Sequence, residues 1–161
     1  LTKLILAATG ARKLIWAPGL MGQDITDYHI DSLARFVEPG HIVIQLPDKI
    51  TPGDPFSKAA YETFDVLKSA KDANGRKFEF TILRDPVNIR SRAKDMVISY
   101  INYYVCNGAV INAQYGDDKA DGKAQDQLKA LYPSRDIVML DVDEVAKAGG
   151  GVHCATQQHP A

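Results

Sequence analysis

Two cysteines in 161 residues are too few for a disulfide framework. Low cysteine usage fits a reducing compartment, which favours the cytoplasm, although a single bridge between Cys106 and Cys154 stays open. There is also no excess of charge. Nineteen basic residues against twenty acidic ones leave a net charge of −1, so nothing attracts nucleic acid or anionic lipid by bulk electrostatics. Apolar runs are short, none approaching the roughly 20 residues of a membrane span. The four histidines show no ligand-like pairing with cysteines or carboxylates beyond His29 and Asp31, which disfavours a metal site. No signal peptide is legible: Leu4–Ala8 is too short and lacks a charged leader. The chain opens on Leu1 rather than Met and reads as a processed or incomplete polypeptide.

What is present suits one α+β domain with a real core: 45% hydrophobic and 24% charged residues. Residues 2–9 read as a helix stopped by Thr9-Gly10, and Lys13–Ala17 as a short strand ended by Pro18-Gly19. Leu33–Val37 and His41–Leu46 flank Glu38-Pro39-Gly40 as a hairpin. Apolar positions 56, 59, 60, 63/64 and 67 predict an amphipathic helix over 56–70, and Phe78–Leu83 alternates as a strand. The order then recurs: Tyr100–Val105 and Ala109–Ile111 around Asn107-Gly108, a helix over 120–131, and a strand over Asp136–Asp141. Residues 35–43 lie over 103–111 with a displacement of 68, which suggests one supersecondary unit used repeatedly. Two such copies need neighbours to bury their flanks. Cys106, beside the second hairpin turn, reads as a structural and largely apolar thiol. Tyr100, Tyr103 and Tyr104 read as sheet packing, with no basic stripe for nucleic acid.

Two stretches are chemically dense. Gly149-Gly150-Gly151-Val152-His153-Cys154 brings three glycines into a thiol, either as a nucleophile at the mouth of a pocket or as a flexible terminal linker with an incidental cysteine. A lone nucleophilic Cys needs a base elsewhere. Asp24-x-Thr26-x-x-His29-x-Asp31 offers one. On an extended segment His29 and Asp31 would share a face and a ligand; otherwise His29 is a loop histidine and the aspartates are caps and turn formers, the reading that spacing alone favours.

Taken together, His29-x-Asp31, the Ser99–Gly108 segment and Gly149-Gly150-Gly151-Val152-His153-Cys154-x-Thr156-Gln157-Gln158-x-Pro160 closely resemble agmatine deiminases and Porphyromonas-type peptidylarginine deiminases. The resemblance runs over nearly the whole chain. It implies a pentein fold, an α/β propeller ring of five ββαβ blades. Residues 1–161 would form the C-terminal part of a single catalytic domain, an incomplete ring of about two to three blades. It also implies a hydrolase that converts a guanidine group, on agmatine, arginine or peptidyl-arginine, to a ureido group and ammonia, with no cofactor or metal. Cys154 would be the nucleophile, His29 the general acid/base and Asp31 the carboxylate gripping the guanidinium, with Gly150 and Gly151 lining the substrate site. His153 would shape the loop rather than titrate. The family's other guanidine-binding carboxylate lies in an N-terminal half absent here, so a companion chain could carry it. Tyr28 replaces a small residue that often precedes the first His, and Gly151 stands where agmatine deiminases usually carry Asn. The rivals are a non-catalytic protein retaining the fold and an amidinotransferase; Thr156-Gln157-Gln158 resembles the deiminase branch.

Overall fold

The computed structural model describes residues 1–159, and Pro160 of the C-terminal motif lies outside them. Helix α1 (Thr2–Thr9) ends at Gly10, whose φ of 68° closes the helix in the left-handed region open to glycine. The strand expected over Lys13–Ala17 does not form. No strand adds to that edge, because β1 (Ala34–Glu38) pairs only with β2 (His41–Leu46). Ile15 instead packs as a loop residue against the first core.

Helix α2 (Pro55–Ser69) starts where Asp54 accepts from the backbone N–H groups of Phe56 and Ser57, with proline in the first turn. It crosses back to β3 (Glu79–Arg84), which runs parallel to β2 from His41–Glu79 to Leu46–Arg84. The second unit repeats the plan. β4 (Tyr104–Cys106) pairs antiparallel with β5 (Ala109–Gln114). Helix α3 (Asp118–Leu131) is capped by Asp117, and β6 (Asp136–Asp141) runs parallel to β5. Short α4 (Asp143–Lys147) follows. The two hairpins close on Glu38–His41 and Cys106–Ala109, equivalent pairs 68 residues apart, so the internal repeat is structural.

Each unit buries what the other exposes. Ile42, Ile44 and Leu46 of β2 face α2 in the first core, with Leu33, Ala60 and Leu67. Val43 of β2 and Leu83 of β3 belong to the second core, with Val110, Ala113, Ala124 and Leu128. The first sheet is thus covered on both faces, which explains the near-continuous apolar run of β2. Among the described residues, no helix is long and apolar enough to cross a membrane.

Between the units lies a segment expected as a strand, Tyr100–Val105, of which only Tyr104 and Val105 enter β4. Residues 99–103 are almost wholly buried, and side chains replace the missing ladder. Ser99 N–H donates to Tyr115 Oη (2.7 Å) and Tyr100 N–H to Gln45 Oε1 (2.6 Å). Asn112 Nδ2 donates to the Tyr100 carbonyl (3.1 Å). Arg35 donates to the carbonyls of Ile101 and Tyr103 and lies 4.3 Å above the Tyr103 ring. Donors and acceptors from both units therefore fix this connector, and with it Asn102.

Candidate active site

The loop before His29 is tied internally. Asp24 Oδ1 accepts from Thr26 N–H (2.7 Å), Thr26 Oγ1 (2.9 Å) and Tyr28 N–H (3.2 Å). Burial alone would raise the Asp24 pKa, but these hydrogen bonds outweigh it and hold the carboxyl below its ordinary value. Asp24 is thus a turn former, as one of the two expectations held. Asp27 and Tyr28 follow at φ 53° and 68°, consecutive left-handed residues that each cost about 1 kcal/mol. The Tyr28 ring stands edge-on to Phe56 (centroids 5.3 Å apart). Burial, with Asp85 nearby, pushes its phenol above the usual range.

His29 and Asp31 do not lie on an extended segment. His29 is the residue before a single 3-10 turn, Ile30–Ser32, so the two side chains diverge instead of sharing a strand face. The His29 ring is exposed and lines a cavity of about 340 Å³ with Asp24, Tyr28, Gln45 and Asp85. Among the described residues it makes no hydrogen bond to Asp31 or Cys154.

Asp31 points the other way, to the C-terminal loop. Its Oδ2 accepts from His153 Nδ1 (2.7 Å) and from the Cys154 thiol (3.4 Å). Among the described residues its Oδ1 has no hydrogen-bond partner, and it is buried. Burial would raise the Asp31 pKa; the hydrogen bonds from His153 and Cys154, aided by the charges of His153 and His29, outweigh it and lower it.

Asn102 joins the two segments. Its Oδ1 accepts from His153 N–H (2.9 Å), which orients the amide so that Nδ2 donates to Ser32 Oγ (3.2 Å) and Cys154 Sγ (3.2 Å). The His153 N–H also reaches the Asn102 carbonyl at 3.1 Å. A thiol, a carboxylate with one unmet buried acceptor, an amide donor on the sulfur and the His153 imidazole, with His29 on the neighbouring cavity wall, form an arrangement suited to nucleophilic attack on a planar cation.

The model of the Porphyromonas-type peptidyl-arginine deiminase family matches residues 1–160. The chain belongs to this family. It is 35% identical to an agmatine deiminase of Medicago truncatula, over 96% of this chain and 46% of that one. The solved agmatine deiminase of Enterococcus faecalis superposes with a TM-score of 0.85 at 28% identity, covering 99% of this chain and 48% of that one. A putative arginine deiminase of Porphyromonas gingivalis gives 0.82 at 26% identity, covering 99% and 46%. The chain spans about half the length of the relatives it matches.

In this deiminase-family chain the glycine run has a steric origin. Gly149, at φ 85°, lies where a Cβ would meet Ile25 Cδ1 at 2.3 Å. At Gly151 a Cβ would stand 2.3 Å from Asn102 Oδ1. Gly150 faces Cys154, its would-be Cβ 3.2 Å from the Cys154 Cβ. The tail is therefore a packed loop against Asn102 and the His29–Asp31 segment, not a linker. Cys154 is exposed on this loop; Cys106 is half-buried in β4, and both are free. Asn102 and the contact of His153 with Asp31 escaped sequence reasoning. Asn102 stood within a recognised motif segment, which was the available signal.

Proposed function

We propose that this chain is the C-terminal part of a deiminase domain whose ring of ββαβ blades is completed by chain beyond these residues or by a companion polypeptide. The proposed reaction is hydrolysis of a guanidine on agmatine, arginine or peptidyl-arginine. The observation that carries it is Asp31, a carboxylate beside the thiol with one buried oxygen unmet, as planar N–H donors of a guanidinium require.

A guanidinium carbon is a poor electrophile, and thiolate is the strong nucleophile proteins offer. On binding, the cation would engage Asp31 and favour loss of the thiol proton to solvent, leaving the sulfur held by Asn102 and His29 protonated for the next step. Cys154 Sγ then bonds to the guanidinium carbon. The tetrahedral adduct collapses by breaking one C–N bond, His29 supplies the proton, and ammonia departs, leaving a thiouronium on Cys154. Water, giving up a proton to His29, adds to the same carbon; the C–S bond breaks and the ureido product leaves. His29 would reach the adduct from its exposed position over the cavity. Contacts to the substrate's tail would be shared with the rest of the ring.

Ammonia release from agmatine, arginine and a C-terminal-arginine peptide tests this reading in the complete protein. Cys154→Ala and His29→Ala are each expected to abolish it. Wild-type turnover in either variant, or no release from any of the three by the parent protein, refutes it. Transfer of the amidino group to an added amine in place of ammonia release would mark a transferase instead.

A further inference from the structure

We infer that His153 is a positioning residue that sets the carboxylate plane of Asp31 and so decides how the site receives a guanidinium; this rests on the reading that Asp31 binds that group. An ionised carboxylate only accepts, so the 2.7 Å contact requires the proton on His153 Nδ1. The carboxyl torsion of an aspartate is broad and roughly two-fold, and nothing in its own backbone selects one orientation. Here the selection comes from His153. Its backbone N–H is pinned by Asn102 Oδ1 at 2.9 Å and its ring by Asp31 Oδ2. The same Oδ2 also takes the Cys154 thiol. All polar contacts of the carboxylate therefore fall on one oxygen, and Oδ1 is left buried and unpartnered.

That asymmetry is costly for a resting site, since an unmet buried acceptor favours any rotation that would share the donors between both oxygens. His153 opposes the rotation because its backbone, held by Asn102, fixes where the ring starts, and turning the carboxylate would take Oδ2 away from Nδ1. The free oxygen is thereby kept ready for a planar N–H donor, while the thiol stays beside it.

The test needs no turnover. Methylguanidinium is the probe, and the readout is its protection of Cys154 against iodoacetamide, followed on the Cys154 peptide with the Cys106 peptide as internal reference for folding. His153→Ala is expected to raise the protecting concentration about tenfold, as suits loss of a charge-assisted hydrogen bond that fixed the binding group. His153→Asn, whose amide nitrogen falls near the lost Nδ1, is expected to restore protection to within about threefold. His153→Gln, with its amide one carbon further out, is expected to behave as Ala and carries the test if Ala does not fold. Methylurea, uncharged, should not protect. Wild-type protection in His153→Gln or His153→Ala overturns the inference while leaving the deiminase reading intact. Failure of methylguanidinium to protect the parent protein overturns both.

Discussion

Gly151→Ala should unseat the active-site loop, and the cost follows from one close approach. A methyl group there would lie 2.3 Å from Asn102 Oδ1, 2.7 Å from its Cγ and 3.0 Å from its Cβ. Asn102 cannot step aside, because it is 2% exposed and its amide bonds His153 N–H, Ser32 Oγ and Cys154 Sγ. Either the amide leaves its partners or the loop lifts away. Each buried polar group left unmet costs about 1–3 kcal/mol, so a total loss of about 2–4 kcal/mol is expected. At about 2–4 °C per kcal/mol for a chain of this size, the melting midpoint should fall by about 5–15 °C. Gly122→Ala is the control of opposite sign. That glycine lies inside α3 with nothing within 4 Å of its would-be Cβ, and replacement should stabilise by about 0.5–1 kcal/mol. Urea unfolding of both variants, with iodoacetamide labelling of Cys154 in the native state, measures the two effects. A Gly151→Ala protein within about 0.5 kcal/mol of its parent, with unchanged labelling, would refute the role given to the glycine–amide contact.

Two further perturbations probe the frame of the site. Asp85, on the cavity wall, is pushed above its ordinary pKa by burial and by Asp54 and Asp48, against the hydrogen bond from Gln45. A raised carboxyl pKa penalises the folded state as pH rises from the unfolded value through the folded one. Asp85→Asn, which can still accept from Gln45, should therefore raise the melting midpoint at neutral pH and lose that advantage below about pH 4. An equal gain at both pH values would contradict the assignment. Arg35→Lys keeps the charge but loses the planar group stacked on Tyr103, whose Nη1 donates to both the Ile101 and Tyr103 carbonyls. It should cost about 2 kcal/mol in urea unfolding, and a loss under about 0.5 kcal/mol would show that the connector holds without it.

Much of the fold was legible because its signals are local. Asp136–Asp141 is a strand at the bounds expected for it. Helix α2 begins where an aspartate cap meets a proline, and the 68-residue repeat reappears as matching hairpin pairs. Expectations failed where the deciding partner was far away in sequence. Lys13–Ala17 has strand-like residues but no neighbour to pair with, and a strand without a ladder does not persist. Tyr100–Tyr103 has strand-like residues too, yet side chains of Arg35, Gln45 and Asn112 bond its backbone, and no local pattern encodes those.

The candidate site divides the same way. His29, Asp31 and Cys154 were singled out by their resemblance to the family's motifs, since spacing alone favoured a loop histidine and turn-forming aspartates. Their relative placement came only with folding. The 3-10 turn sends His29 to the cavity and Asp31 to the thiol. Residues 122 apart then meet at 2.7 Å, so His153 joins the site it was expected only to shape. Composition and periodicity determine which elements form and which residue types are available for chemistry. Which oxygen of Asp31 is saturated and which is left for a ligand is set by side chains that only the assembled units bring within a hydrogen bond of each other.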